Sequence, residues 1–355
     1  MRWDVFCRVI DNFGDVGVCW RLSADLAARG DDVRLWIDDP APLSWMAPRG
    51  APGVTVARWS AETTWPEPAE VVIEAFGCAL PAPFVARMAR RHAQGRAPMW
   101  INLEYLSAES YVSRSHRLPS PQLTGPGAGL DKWFFYPGFT PDTGGLLRET
   151  DLAQRQATFD AAAWREAHGI DTSGGERIVS LFCYDTAPVA ALLEALAPQP
   201  TLVAATFGVA ARLVAEALGP SLRAGALRAV TLPPLPQTEF DHLLWSSDIN
   251  FVRGEDSFVR AMWAGRPFVW HIYPQADAVH ARKLQAFNQR FLQGAPAPFA
   301  AQFESLSMVW DGLAHDAMRL PDAALWRQQA TAWRQDMLRQ DELVSRLRAM
   351  VGRTG

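Results

Sequence analysis

Residues 3–29, WDVFCRVIDNFGDVGVCWRLSADLAAR, contain the pattern that decides the fold. Trp3–Val9 is a short apolar run that predicts a strand, and Gly17–Arg29 has helical spacing with Gly30 at the helix stop. A second strand is predicted at Val33–Ile37. Strand, turn and helix in this order are typical of an α/β protein with a parallel sheet.

The same alternation continues along the chain and starts again after a polar, glycine-rich stretch. Strand-like runs follow at Val71–Ile73 and Met99–Leu103, and the pattern is helical around Leu152–His168. The stretch DTSGGE at Asp171–Glu176 is typical of a domain boundary, and Pro321–Arg353 again has helical spacing. We therefore predict two Rossmann-like α/β domains that face each other across a cleft, where such sheets bind ligands. The predicted ranges are 1–170 for an N-terminal acceptor-binding domain, 176–320 for a C-terminal nucleotide-sugar-binding domain and 321–355 for a C-terminal helical segment.

The composition excludes several classes of protein. The 355 residues have a net charge of -4 and no global basic field that would hold nucleic acid. The four cysteines have no CxxC spacing, which argues against a zinc site or a disulfide framework and favours a reduced compartment. No run approaches the roughly 20 apolar residues of a membrane helix, and the N-terminus lacks the apolar region of a signal peptide. We expect a cytoplasmic protein that binds neither nucleic acid nor membrane.

The loop after the first strand carries two carboxylates, Asp11 and Asp15, where an α/β protein usually binds phosphate. An acidic loop disfavours an anion and favours a cation or a proton that must be removed. A carboxylate pair suits a general base, and it also suits a bidentate grip on a guanidinium. The alternative is structural, with Asp11 as a turn or N-cap residue and Asp15 as a cap of the helix. The fingerprints GxGxxG and GxxxxGK[ST] are absent, so neither a dinucleotide-binding enzyme nor a P-loop NTPase is predicted.

A second loop, FVRGEDSFVRAMWAG, runs from a strand end through Gly254 into a helix that starts near Asp256. Helix N-termini bind phosphate through free N–H groups and the helix dipole. Ser257 adds a hydroxyl and Arg253 a positive charge, whereas Glu255 is an acid beside this anion site. The alternative is that Asp256 or Ser257 is an ordinary N-cap.

Aromatic and amide side chains near other strand ends fit a nucleotide sugar. Phe182 and Tyr184 are two residues apart at a strand end, so they point the same way and suit stacking on a base, unless they are simply core. Gln237 and Phe240 lie at a turn into a helix, where an amide suits a base edge. Tyr273 lies in a polar turn that suits sugar hydroxyls. These features together predict a nucleotide-diphosphate pocket in the C-terminal half, faced by the carboxylates of the N-terminal half.

We predict no metal site. His271 and His280 are nine residues apart and lack a third ligand at metal spacing, so both are interpreted as structural or hydrogen-bonding residues.

Three motifs resemble a known family: DNFGDVGV near the N-terminus, LFCY in the middle, and RGEDSFVRA with PFVWHIYPQ later. In order and spacing they are similar to the bacterial protein-arginine rhamnosyltransferases that modify elongation factor P, the EarP family. The resemblance implies a two-domain GT-B fold and inverting transfer of rhamnose from dTDP-β-L-rhamnose to a guanidine nitrogen of one arginine, without a metal or other cofactor.

The resemblance also implies the site residues. The catalytic acids of the family match Asp11, Asp15 and Glu255. Its donor contacts match Phe182, Tyr184, Gln237, Phe240, Asp256, Ser257 and Tyr273, to which the second loop adds Arg253. We expect Asp15 to act as the general base, Asp11 to orient the guanidinium, and Glu255 to position the acceptor or the sugar. The helix start at Asp256 would stabilise the departing diphosphate.

Two alternatives stay open at this point. The first is a GT-B glycosyltransferase with a small-molecule or glycan acceptor, which shares the donor pocket. The second is a non-catalytic α/β protein that binds a translation factor as its partner.

Overall fold

The computed structural model describes residues 1–10, 13–172, 174–274 and 279–352. The chain divides into two compact units, Met1–Thr150 with Arg339–Gly355, and Asp151–Leu338. The boundaries of these units differ from those of the predicted domains, 1–170, 176–320 and 321–355. The predicted ranges stay a prediction.

The first unit alternates strands with helices. Its described strands are β1 (Arg2–Cys7), β2 (Asp32–Ile37), β3 (Val54–Arg58), β4 (Val71–Ala75), β5 (Met99–Leu103), β6 (Pro119–Pro121) and β7 (Asp131–Phe135). Its helices up to residue 150 are α1 (Phe13–Ala28), α2 (Leu43–Met46), α3 (Ala82–Ala93) and α4 (Tyr111–Ser115), with a 3-10 turn at Gly125–Gly127.

The second unit repeats this alternation. Its described strands are β8 (Arg177–Leu181), β9 (Thr201–Ala205), β10 (Arg223–Ala224), β11 (Leu227–Thr231), β12 (Ile249–Arg253) and β13 (Phe268–His271). Its helices are α5 (Leu152–Ala157), α6 (Ala161–Ala167), α7 (Val189–Leu196), α8 (Val209–Leu218), α9 (Gln237–Ser246), α10 (Asp256–Ala264), α11 (Val279–Phe291), α12 (Ala297–Trp310) and α13 (Ala323–Leu338). The chain then returns to the first unit with α14 (Leu343–Val351).

Both sheets have the doubly wound strand order. The first sheet runs β3-β2-β1-β4-β5-β7-β6 and is parallel except for β6, which pairs antiparallel with β7. The second runs β10-β11-β9-β8-β12-β13 and is parallel except for β10. In each sheet the strand order reverses beside the first strand, between β1 and β4 and between β8 and β12. Ligands of doubly wound sheets bind at this point, beyond the carboxyl ends of the strands.

The central strands β1 and β4 of the first sheet are buried on both faces. Val5 and Cys7 of β1 belong to one apolar cluster, whereas Phe6 between them belongs to another, as the two-residue period of a strand requires. Leu343 and Leu347 of α14 pack into the first of these clusters, which attaches the end of the chain to the unit that contains its beginning. Burial on both faces accounts for the continuous apolar character of these strands.

Two stretches predicted as continuous helical patterns are interrupted. Leu152–His168 forms α5 and α6, because Asp160 accepts hydrogen bonds from the N–H groups of Ala162 and Ala163 and starts a new helix. The C-terminal pattern likewise forms α13 and α14, and the side chain of Glu342 caps α14. Among the described residues, no helix combines the length and the apolar character needed to cross a bilayer.

Candidate active site

Asp15 lies in the first turn of α1, directly beyond the carboxyl end of β1, and its carboxylate is oriented by two donors. The residue is only 2% exposed. Its Oδ2 accepts the N–H of Ile10 at 2.9 Å, and its Oδ1 accepts the hydroxyl of Tyr105 at 3.2 Å. Asp15 is thus the third residue of α1 and bonds back to the loop before the helix, a contact that agrees with the structural alternative of a helix cap as well as with a catalytic role. Asp11, the other predicted acid, lies outside the described residues.

The partner of Asp15 belongs to a group of side chains beyond the ends of β4 and β5. Tyr105 stacks on Phe76 with ring centroids 4.3 Å apart and planes 13° apart. Phe76 has a left-handed φ of 56°, an uncommon conformation for a non-glycine residue. Beside them, Asn102 Nδ2 donates to Glu104 Oε1 at 2.6 Å. This edge of the sheet therefore combines carboxylates with aromatic faces, a combination that suits a cation.

Glu104 also influences two neighbouring tyrosines. Burial raises the pKa of Tyr136 to about 12, and the negative charge of Glu104 adds to that effect. Burial together with Glu109 and Glu104 raises the pKa of Tyr111. Both phenols are therefore neutral at physiological pH and present aromatic surface and hydroxyl groups beside an acid.

In the second unit, Arg253 at the end of β12 lies against two of the predicted aromatic residues. Its guanidinium carbon is 4.5 Å from the ring centroid of Phe182 and 4.5 Å from that of Tyr184. Phe182 also meets Phe240 edge to face at 5.5 Å, and Tyr184 meets Tyr273 edge to face at 5.5 Å. The structure thus brings five predicted donor-binding residues into one cluster, which we call the aromatic cluster: Phe182, Tyr184, Phe240, Arg253 and Tyr273.

The exposure of these rings differs. Tyr273 is 42% exposed, Phe182 and Phe240 are half-buried, and Tyr184 is buried. The core interpretation therefore fits Tyr184 better than Phe182, whose ring meets both a cation and another ring.

The helices α9 and α10 begin next to each other. Gln237, the first residue of α9, donates from Nε2 to Oδ2 of Asp256, the first residue of α10, at 3.0 Å. Glu255 occupies the N-cap position of α10, so neither Asp256 nor Ser257 is the ordinary N-cap of the structural alternative. The hydroxyl of Ser257 donates to the carbonyl of Arg253, one turn back.

Gly254 makes the turn from β12 into α10. Its φ of 68° is the left-handed conformation that glycine adopts without steric cost. The turn aims the first N–H groups of α10 beyond the carboxyl end of β12, where an anion is stabilised by the helix dipole.

His271 supports the aromatic cluster from the end of β13. Its Nδ1 accepts the backbone N–H of Tyr184 at 3.3 Å, and its Nε2 lies 3.4 Å from the hydroxyl oxygen of Thr186. Burial, with a smaller effect of Arg253, lowers the pKa of His271 to about 3, so the imidazole is neutral. A neutral ring with Nδ1 as acceptor carries its proton on Nε2, which therefore donates to Thr186. Within the described residues, no group of three or more His, Cys, Asp or Glu side chains is arranged to hold a metal ion.

Comparison with known proteins identifies the family. The model of the family described as Elongation-Factor P (EF-P) rhamnosyltransferase EarP matches residues 3–352. The chain belongs to the EarP family. The predicted membership is therefore confirmed.

Curated relatives agree with this membership. A protein-arginine rhamnosyltransferase of Pseudomonas aeruginosa is 40% identical over 375 residues, which cover 97% of each chain. A protein-arginine rhamnosyltransferase of Shewanella oneidensis is 36% identical over 384 residues, which cover 98% of this chain and 96% of the relative. These similarities extend over nearly the full length of the EarP-family chain.

Solved structures confirm the predicted GT-B fold. A structure that describes EarP-mediated arginine glycosylation of translation elongation factor EF-P matches with a TM-score of 0.66 and 28% identity, covering 100% of this chain and 99% of the other. The glycosyltransferase VinC matches with a TM-score of 0.53 and 14% identity over 100% of each chain, a likeness of fold alone. This EarP-family chain thus shares its two-unit α/β architecture with GT-B glycosyltransferases.

Several residues of the candidate site did not appear in the sequence-based prediction. Tyr105, Phe76 and Glu104 lie beyond the ends of β4 and β5. Met99–Leu103 was predicted correctly as a strand, so the rule that ligands bind beyond strand ends already pointed to residues 104 and 105. The contact between Tyr105 and Asp15, which are 90 positions apart, had no signal in the sequence.

Proposed function

We propose that this chain is an inverting glycosyltransferase that transfers rhamnose from dTDP-β-L-rhamnose to a guanidine nitrogen of one arginine in elongation factor P. Rhamnosylation of an arginine of elongation factor P is the activity of the family to which the chain belongs. Family membership therefore favours the protein acceptor over a small-molecule or glycan acceptor, and catalysis over simple partner binding. The donor nucleotide, the inversion and the residue roles are the parts that we add. Because the acceptor is a translation factor, we place the reaction in the cytoplasm.

The acceptor poses a chemical problem that Asp15 is suited to solve. An arginine side chain stays protonated at physiological pH, since its pKa is above ~12, and its nitrogen lone pairs are delocalised. A carboxylate that pairs with the guanidinium localises the charge and accepts a proton as the new bond forms. Ile10 and Tyr105 each bond one oxygen of Asp15, so the carboxylate is held in one orientation before the acceptor arrives.

The proposed reaction is a single displacement. A guanidine nitrogen attacks C1 of rhamnose, the C1–O bond to the diphosphate breaks, and dTDP leaves with that electron pair. The proton lost by the attacking nitrogen passes to Asp15. Because attack comes from the face opposite the leaving group, the configuration at C1 inverts.

The second unit supplies groups that suit the donor. The N-terminus of α10 and the guanidinium of Arg253 offer positive charge for the departing diphosphate, which is why we propose transfer without a metal. The exposed parts of Phe182, Phe240 and Tyr273 offer ring surface to the thymine and the sugar. Gln237 and Asp256 are hydrogen-bonded to each other. We therefore propose that their first role is to hold the starts of α9 and α10 together, and that direct contact with the donor is secondary.

The remaining acids keep their predicted roles as proposals. We propose that Asp11 orients the guanidinium and that Glu255, at the N-cap of α10, positions the acceptor or the sugar near C1.

The observation that carries the proposal is the buried carboxylate of Asp15, held by two donors at the strand-order reversal of the first sheet. Its test is intact-protein mass spectrometry of elongation factor P after incubation with the enzyme, dTDP-β-L-rhamnose and a chelator. We expect the mass of one deoxyhexose to be added by the wild type. Asp15→Asn should lower the initial rate of transfer at least about 100-fold, as expected for a lost general base, while it still binds dTDP, as measured by calorimetry.

Asp25→Asn is the matched control, since Asp25 is a second buried aspartate of α1 and pairs with Arg29 at 2.8 Å. It should retain transfer. Equal transfer by Asp15→Asn and the wild type would remove Asp15 from the mechanism. Binding of dTDP without any transfer by the wild type would keep the donor pocket and refute the proposed reaction.

A further inference from the structure

The helices α9 and α10 are joined by two polar bridges in the same register. Gln237 bonds Asp256 where both helices begin, and one turn further Asp241 bonds Arg260. The partners are 19 positions apart in both bridges. Two bridges with the same offset, four residues apart on each helix, require the helices to run parallel and side by side.

The second bridge is the stronger of the two. Arg260 Nε donates to Asp241 Oδ1 at 2.9 Å, and Arg260 Nη2 donates to Asp241 Oδ2 at 2.8 Å. The exposed fractions of the two side chains are 2% and 0%. A bidentate contact fixes the angle as well as the distance between its partners. Arg155 of α5 approaches the same carboxylate at 3.5 Å and adds positive charge.

Such a pair is a poor device for stability alone. Removing two charges from water costs about as much as their attraction returns, and packed apolar residues often serve equally well. The best-attested use of a buried polar pair is to fix the register of the elements that it joins. Here the joined elements are the two helices whose first residues are Gln237 and Asp256.

We propose that Asp241 and Arg260 are positioning residues for the nucleoside diphosphate of the donor. They hold α9 and α10 in register, so that the N-termini of both helices and the Phe240 side chain keep their places around the diphosphate and the base. This inference rests on the proposed function, because it takes the starts of α9 and α10 as the donor site.

The test compares Arg260→Lys with the wild type in the full-length chain. Lysine keeps the charge but is a point donor that cannot reproduce the planar fork of arginine. We expect the Kd for dTDP, measured by calorimetry, to rise about tenfold, which corresponds to the loss of roughly one hydrogen bond to a charged group. The KM for dTDP-β-L-rhamnose should rise by the same factor, while kcat at saturating donor stays within about twofold.

Arg228→Lys is the matched control. Arg228 makes a bidentate pair with Glu176, including a 2.9 Å bond, at the amino end of β11 in the same unit. This end is the edge of the sheet opposite to the strand ends of the candidate site. The same substitution there should leave both Kd and KM unchanged.

A structural role for the pair predicts a different result. Reversible unfolding raises the apparent Kd only by the reciprocal of the folded fraction, so a variant that is at least about nine-tenths folded by circular dichroism shows a Kd within about 1.1-fold of that of the folded state. A Kd for Arg260→Lys within about twofold of the wild type would therefore overturn the proposal. If Arg260→Lys does not fold, the double variant Asp241→Leu with Arg260→Met replaces it, since it removes both charges of the pair and Arg155 keeps its bond to Asp151. The same rise in Kd is expected of the double variant, and an unchanged Kd again overturns the proposal.

Failure of the proposed function has its own signature. A folded wild type that does not bind dTDP would refute the donor assignment, and with it the ligand that the pair is proposed to position. Tight binding by the wild type with equal binding by Arg260→Lys would refute only the positioning role.

Discussion

Replacing Tyr105 by phenylalanine should slow the transfer reaction without weakening donor binding. The hydroxyl of Tyr105 lies 3.2 Å from Oδ1 of Asp15, which is long for an O–H···O bond. Hydrogen bonds to charged groups contribute about 1.5–3 kcal/mol, and the long distance places this one near the lower limit. Since about 1.4 kcal/mol is a factor of ten in rate, we expect kcat to fall roughly tenfold.

The structure indicates why this substitution isolates the hydroxyl. A phenylalanine ring retains the stacking on Phe76, at 4.3 Å between centroids, so the melting temperature should stay close to that of the wild type. Asp15 keeps its bond from the N–H of Ile10 at 2.9 Å, so the carboxylate stays near its place but gains rotational freedom. The assay is the initial rate of deoxyhexose addition to elongation factor P at saturating donor, with the Kd for dTDP as the measure of binding.

A double-mutant cycle tests whether the hydroxyl acts through Asp15. Asp15→Asn alone removes the base, and in that background Tyr105→Phe should cost nothing further. The reasoning fails if Tyr105→Phe retains kcat within about twofold. It also fails if the substitution costs the same factor with and without Asp15, because the hydroxyl would then act independently of the carboxylate.

Two further predictions concern pH and stability. Burial raises the pKa of Asp311 well above its usual range, so the stability that this carboxyl contributes at low pH is lost as pH rises through the folded-state pKa. Asp311→Asn retains an acceptor for the N–H of Ile272, which lies at 2.8 Å, and its side chain cannot ionise. At about pH 8 the variant should therefore have a higher melting temperature than the wild type. An equal or lower melting temperature would contradict this prediction. His271 has a folded-state pKa of about 3 against 6.5 when unfolded, so the unfolded chain binds the proton first and stability should fall as pH drops from about 6.5 to about 3. His271→Gln should flatten that slope in urea-unfolding midpoints measured across this range, and an unchanged slope would show that other groups cause it.

The sequence was sufficient for the fold because the fold depends on local patterns. Strand-like apolar runs alternate with helical spacing, and strand ends can be placed from glycines and polar residues, as at Gly254. The misses have local causes too. Asp160 interrupts a helical pattern because it caps α6, and Asp131–Phe135 was not predicted as a strand although it lies in the first sheet. Its pattern DKWFF is short and half polar, and pairing on both sides makes it a strand.

Contacts within the candidate site were harder to predict, since they depend on strand order and helix register. Asp15 and Glu255 could be chosen from the chemistry of their loops. Tyr105 could not, because its relation to Asp15 depends on β4 lying between β1 and β5 in the sheet. The pair of Asp241 and Arg260 likewise appears only when α9 and α10 are aligned, since neither residue lies at a strand end or a helix start.

The strand-order reversals of the two sheets carry different groups, and on the proposed function this difference accounts for the acidic first loop. Each sheet has its strand-order reversal beside its first strand, and in each unit the loop there enters a helix. In the second unit, β12 lies on the other side of the reversal from β8, and it ends in the guanidinium of Arg253 and leads into the N–H groups that begin α10, which are donors for a diphosphate. In the first unit the reversal presents the carboxylate of Asp15, aligned by Ile10 and Tyr105. A phosphate at that carboxylate would be repelled, whereas a guanidinium would be held and deprotonated. On the proposed function, the same topology serves an anionic donor in the second unit and a cationic acceptor in the first, because the loops at the two reversals carry different charged groups.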